Sequence, residues 1–257
     1  MIKKIAVRGG HNFQATGASA LIDETTEDRK VKDSLIQALR AKGYDVIDVT
    51  PRNCDVLTDL ELGVNKAEEF GADLFVSVHF DKAYDHYEGA LGHACWIYGN
   101  GGEAEAISNR IVNTVVNGTG FKNRGVRVNP DLYELRKTSM PAIIVETCFC
   151  EATEDVAIYK EKGPDLIGNL IANGIAGENI VVTSTPLSKD NNDNNAKYAI
   201  VTATVLNVRS GAGLNYPVIG QLKEGDKIKL DCKVGDWWST YYGEHGGFMY
   251  AEYLKEC

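Results

Sequence analysis

The chain has 257 residues, 44% of them hydrophobic and 25% charged, with a formal net charge of −9. That length suits two domains better than one core, and the composition is that of a soluble globular protein. The acidic balance argues against a nucleic-acid partner, which needs a basic patch, and no apolar run approaches the ~20 residues that span a bilayer, so no membrane partner is expected.

From the N-terminus, MIKKIAVRGG has too short an apolar run for an export signal and reads as a strand at 2–7 turning at 8–10. Val31, Leu35, Ile36 and Leu39 recur at helical spacing, and Gly43 follows as a C-cap. A strand at 46–49, a helix at 56–70 and a continuous apolar strand at 74–78 come next. They are followed by a strand at 93–97, a helix at 104–116, an Ile- and Val-rich strand at 142–146 and a last helix at 165–175. Apolar strands alternating with helices indicate an α/β domain, a mixed or mostly parallel sheet with helices on both faces.

Residues 184–196 are crowded with Asn, Asp and Ser, lack apolar periodicity and read as a flexible linker. Beyond it, short β-rich runs at 199–206, 218–222, 227–232, 237–242 and 247–249 are broken by glycine-bearing turns, as in a small all-β barrel. From Lys197 on, seven cations balance seven acids, so the acidity lies before the linker. The expected domains are 1–178, a linker at 179–196 and 197–257. The six cysteines (54, 95, 148, 150, 232 and 257) are scattered and are expected to be reduced, most of them as small core residues.

In an open α/β sheet, ligands bind beyond the carboxyl ends of the strands. His11 follows the first strand, His79 ends the strand at 74–78 and Glu146 ends the strand at 142–146, which brings two imidazoles and a carboxylate to one sheet edge. Two His and a carboxylate form a common catalytic zinc set with a position left for water, and a further carboxylate is then needed as base. Glu24, near the start of the first helix, is placed to be the third ligand, with Glu27 one turn further on as the alternative. Taken singly, these two acids read as helix N-terminal residues favoured by the dipole, and a His after a strand reads as a surface or capping residue. A charge that closes Ala-Ile-Ile-Val is harder to explain unpaired. His93 reads as a packed neutral ring, and Cys148 and Cys150 share the strand parity of Glu146.

These residues resemble the zinc-dependent N-acetylmuramoyl-L-alanine amidases of the type-3 class. The likeness rests on GlyGlyHis at 9–11, a glutamate some nineteen residues before the glycine ending the first helix, ValSerValHisPheAsp around His79, and ProAlaIleIleValGlu at 141–146. It spans roughly residues 2–177, and 122–136 looks like the family's region before the catalytic strand. The resemblance implies one Zn2+ per catalytic domain held by His11, Glu24 and His79, with Glu146 as the catalytic glutamate. It also implies cleavage of the amide joining N-acetylmuramic acid to L-alanine of the stem peptide. Two departures bear on the substrate groove: PheAspLys at 80–82 replaces the family's Asn-Ala pair, and ThrCysPheCysGlu follows Glu146 in place of a glycine and an asparagine.

Residues 204–225 resemble the opening of bacterial SH3-type domains, which commonly bind wall peptides or cross-bridges. Trp238 and Tyr241 are the candidates to line a ligand groove there, against the alternative that the aromatics fill a very small core. The whole resembles a bacteriophage endolysin, made in the host cytoplasm without a signal peptide and meeting peptidoglycan, glycan and stem peptide alike, once the membrane is breached. The rival readings are a non-catalytic wall-binding protein and a zinc peptidoglycan endopeptidase. Oligomeric state is not legible.

Overall fold

Apolar strands that run together need cover on both faces, and the alternation of side chains along them decides what covers which. The computed structural model describes residues 2–177, 197–209, 212–214, 216–240 and 247–257. The chain divides into two units, Met1–Ser184 and Thr185–Cys257. The expected linker at 179–196 and Tyr241 lie outside the described residues.

The first unit runs β1 (Lys4–Gly9), α1 (Glu24–Ala41), β2 (Asp45–Asp48), α2 (Val56–Phe70), β3 (Leu74–Asp81) and β4 (His93–Ile97). It continues through α3 (Glu103–Thr119), β5 (Asn123–Val128), α4 (Tyr133–Lys137), β6 (Ala142–Phe149) and α5 (Thr153–Ala176). Among the described residues its sheet has the order β2-β1-β3-β6-β4-β5. The first four strands are parallel. β4 runs antiparallel to β6 and parallel to β5, which makes the sheet mixed.

Strand parity assigns the layers. Ile5, Val7, Val76, Val78, Ile143 and Val145 pack with Val31, Leu35, Ile111, Val115, Ile167 and Ile171, so α1, α3 and α5 cover one face. Ala6, Phe75 and Ile144 point the other way, onto Ala67 of α2 and Leu135 of α4. α1 starts where Asp23 caps it, its carboxylate accepting from Thr26 N at 3.0 Å.

Several expected boundaries are corrected. β3 continues to Asp81 and β6 to Phe149, so His79 and Glu146 lie inside paired strands and not at their ends. The helix expected at 165–175 is the second half of α5, whose first half precedes a break at Gly163 (φ 77°) and Pro164. β5, a polar strand, and α4, a single short turn of helix, carry no apolar periodicity and were not expected.

The second unit is an antiparallel β fold with strands β7 (Lys197–Val201), β8 (Val205–Arg209), β9 (Val218–Lys223), β10 (Lys227–Val234), β11 (Trp237–Thr240), β12 (Gly247–Tyr250) and β13 (Leu254–Glu256). Their order among the described residues is β13-β7-β10-β11-β12-β8-β9. The single run expected at 199–206 is thus two strands. Trp238 is only 6% exposed and packs with Val201, Leu206, Leu230 and Met249, with Lys197 over its ring at 5.5 Å. It fills the core, which corrects the expectation that it lines a groove.

Close helix packing depends on small residues in α5. A Cβ on Gly174 would lie 2.5 Å from Ile111 Cα, and one on Gly168 would lie 2.6 Å from Leu35 N. Both obstructions are backbone and cannot swing aside. Gly174→Ala is therefore expected to destabilise the first unit by about 1–3 kcal/mol, read as a lower urea midpoint at unchanged slope.

Candidate metal centre and active site

Three neighbouring parallel elements bring the polar residues together. β1 ends in Gly9 and leads through Gly10 to His11; β3 carries His79, and β6 carries Glu146 in direct register with it. The chain between His11 and α1 folds back so that Glu24, the first residue of the helix, returns to the same place. His11 Nε2 lies 3.3 Å and His79 Nδ1 3.1 Å from Glu24 Oε1. Among the described residues, His11, Glu24 and His79 are the group whose ligand atoms all fall within 4.8 Å of one another. The two imidazoles meet edge to face, with centroids 5.0 Å apart.

That approach requires glycine. A Cβ on Gly10 would lie 2.0 Å from His79 Cε1, and one on Gly17 would lie 2.4 Å from Glu24 Oε2 and 2.6 Å from His11 Cδ2. The backbone of His11 is tied on both sides, its N–H donating to Asp28 Oδ2 at 3.2 Å and its carbonyl accepting from Arg29 at 2.6 Å.

Glu24 is 4% exposed and accepts from Phe80 N at 3.0 Å and Ala18 N at 2.7 Å. Burial pushes its carboxyl up, but hydrogen bonds and charge from His11 and His79 prevail and hold it well below the usual carboxylate range. Glu27 is engaged elsewhere, accepting from Tyr159 Oη at 2.6 Å and Lys30 Nζ at 2.7 Å. A tetrahedral zinc with bonds of about 2.0–2.1 Å separates its ligand atoms by about 3.3 Å. The His–Glu separations match that spacing, and two imidazole nitrogens with a carboxylate oxygen are donors that zinc takes, so the set fits the ion.

Glu146 lies beside this cluster with one carboxylate oxygen, Oε2, buried and without a hydrogen-bond partner. Burial pushes its carboxyl up to about 8, against the pull of His79 and helped by Asp81, Glu24 and Glu134. Without a bound cation this carboxyl keeps its proton at neutral pH; a divalent cation held by the neighbouring imidazoles and Glu24 would favour the ionised form, which is the one able to act as a base. His93, on the neighbouring strand, is fully buried and donates from Nδ1 to the Thr147 carbonyl at 3.2 Å; burial lowers its pKa to about 4, so it is a neutral packed ring. Cys148 and Cys150 are buried free thiols in the core.

Two buried carboxylates were missed from the sequence. Glu134 of α4 reaches toward His79 from behind, its Oε2 3.7 Å from His79 Nε2, and pairs with Arg8 at 3.2 Å. Glu151 accepts from the backbone of Ala83 at 2.8 Å and Tyr84 at 3.0 Å, and so pins a loop whose residues 82–86 line an open cavity of about 770 Å3. The partners of both lie far away in sequence, and no local periodicity announces them.

The chain matches the family model described as N-acetylmuramoyl-L-alanine amidase over residues 5–177, and the bacterial SH3 domain model over residues 204–255. It is 54% identical over 241 residues to an uncharacterized protein of Clostridium perfringens (strain 13 / Type A), covering 91% of this chain and 70% of the relative. It is 29% identical over 182 residues to the endolysin of Bacillus phage SPP1, covering 68% of this chain and 64% of the endolysin. Its fold is similar to the solved catalytic domain of an endolysin targeting Clostridia Difficile, with a TM-score of 0.61 at 22% identity over 69% of this chain and 99% of that one.

The raised proton affinity of Glu146 has a consequence for stability. The folded chain keeps this proton up to about pH 8, whereas an ordinary carboxyl releases it near 4.5. Between those values the folded state binds more protons than the unfolded one, so this group's contribution falls as pH rises. Glu146→Gln cannot ionise. In chelator-treated protein it is therefore expected to gain stability over the parent from about pH 5 to pH 8, each tenfold in proton affinity being worth about 1.4 kcal/mol. Thermal unfolding of both proteins across that range checks this, and a gap that does not change with pH would contradict it.

Proposed function

The chain belongs to the N-acetylmuramoyl-L-alanine amidase family and carries a bacterial SH3 domain, and from that premise we propose that it hydrolyses peptidoglycan with a zinc ion held by His11, Glu24 and His79. The bond broken is the amide between the lactyl group of N-acetylmuramic acid and L-alanine. The observation that carries the zinc reading is the convergence of two imidazole nitrogens and one carboxylate oxygen within 4.8 Å, beside a buried carboxyl with an unpartnered oxygen.

Bound zinc supplies Lewis acidity, which polarises the scissile carbonyl and makes a water easier to deprotonate. The remaining work falls to side chains. Glu24 stays ionised between the two imidazoles and so remains a ligand rather than a competing acid. Glu146 takes the proton of the attacking water at its unpartnered oxygen and hands it to the leaving amine nitrogen as the carbon–nitrogen bond breaks.

The SH3 unit directs the enzyme to the same material, with peptidoglycan as partner of both units. Among the described residues no helix is long and apolar enough to cross a membrane. The similarity to a phage endolysin supports action on the wall after the membrane is breached.

Elemental analysis is expected to find about one zinc per chain, with loss of wall turbidity abolished by chelator and restored by zinc. Glu146→Gln should keep zinc and lose about 10²–10⁴-fold in turnover, while His79→Ala should lose metal and activity together. The products separate amidase from endopeptidase: an amidase frees intact stem peptides starting at L-alanine, and stem residues left on the glycan would overturn the bond assignment.

A further inference from the structure

The two ring nitrogens of His79 face different partners. Nδ1 points to Glu24 at 3.1 Å, on the side where His11 converges. Nε2 points the other way, 3.0 Å from Ser77 Oγ and 3.7 Å from Glu134 Oε2. Ser77 lies two residues earlier on β3, on the same face of the strand. It is fully buried, and its hydroxyl lies 3.2 Å from Glu134 Oε1. The same Glu134 oxygen takes Arg8 Nη1 at 3.2 Å. Arg8 is itself fully buried and is held by a second ion pair with Asp59, whose other oxygen accepts Asn12 Nδ2 at 2.7 Å.

Proton counting gives this chain of contacts a direction. A carboxylate paired with a buried guanidinium only accepts, and a serine hydroxyl has one proton to give. Ser77 therefore donates to Glu134, and its remaining lone pair accepts from His79 Nε2–H. With one ring proton held on Nε2, Nδ1 is the nitrogen that gives up its proton when a cation binds, and its lone pair is then aimed at the point shared with His11 and Glu24.

We propose that Ser77 and Glu134, backed by Arg8, are positioning residues that fix the tautomer and the ring orientation of His79 for metal binding. Neither touches substrate. The inference rests on the zinc reading above, since a ring that binds no metal has no need of a chosen tautomer. The competing account, in which Glu134 serves only to neutralise Arg8, makes Ser77 dispensable, and this is where the two separate.

The test is therefore Ser77→Ala, which leaves the Arg8–Glu134 and Arg8–Asp59 pairs in place. Zinc affinity, measured by competition with a chromophoric chelator, is expected to weaken about 10–100-fold. In the zinc-loaded parent, the His79 Nε2–H should appear in the proton NMR spectrum as a downfield, slowly exchanging resonance, and it should be lost from Ser77→Ala. Ser77→Thr, which keeps the hydroxyl, should restore both readouts. A parent that binds zinc beside a Ser77→Ala variant that binds it equally and keeps the resonance would overturn the relay alone. A parent that takes up no zinc would overturn the function reading and this inference together. Glu134→Gln leaves Arg8 short of one charge partner and is read only after its circular dichroism matches the parent; parental zinc affinity in that folded variant would also overturn the proposal.

Discussion

Glu24, Asp28, Glu134 and Glu146 share one buried region of the first unit, and the structure is arranged around balancing their charge. A lone buried carboxylate is costly, and neighbouring ones repel. Arg8 offsets Glu134, Arg29 lies against Asp28, and the two imidazoles offset Glu24. What remains is an excess of acid, visible in Asp28 and Glu146, whose carboxyls burial pushes up to about 8 despite the cations nearby. A region of this kind holds extra protons at neutral pH and favours a divalent cation as an alternative. The same surplus of negative charge that strains the fold thus suits it to a metal.

Room for so many charged groups comes from glycines, each facing one member of the set. A Cβ on Gly9 would lie 2.6 Å from Asp28, one on Gly10 2.0 Å from His79, one on Gly17 2.4 Å from Glu24, and one on Gly63 2.7 Å from Arg8. Here the backbone comes within van der Waals reach of ionisable side chains and leaves no room for a further side chain. This is how the sequence can place a dense polar cluster on adjacent strands of the sheet.

Much of this was legible in the sequence, and the reasons for the remainder are physical. Strands and helices with apolar periodicity were found because burial on one face writes a period into the chain. His11, His79 and Glu146 stood out as polar residues at the limits of apolar runs. Glu24 and Glu27 stayed ambiguous because both occupy the first turn of α1; Tyr159 and Lys30, which take Glu27, are decisions of tertiary structure. Glu134 was invisible because α4 is one short turn in a polar stretch, and its partners come from β1 and β3. Trp238 misled because an aromatic in a very small domain reads the same whether it fills the core or faces a ligand.

The segments that follow His79 and Glu146 are tied to each other. Residues 80–82 follow His79 and residues 147–151 follow Glu146, at and just beyond the ends of two adjacent parallel strands. Cys150 N donates to Asp81 O at 2.9 Å, Tyr87 N donates to Glu151 O at 3.2 Å, and the Glu151 carboxylate closes the loop through Ala83 and Tyr84. Loss of the Glu151 carboxylate would leave the Ala83 and Tyr84 N–H groups without this acceptor. The loop at 82–86 is thus held by Glu151, two residues beyond the end of β6, the strand that carries Glu146. Glu146 and the residue that pins this loop therefore sit on one short stretch of chain, 146–151, so a shift of the end of β6 would move both together.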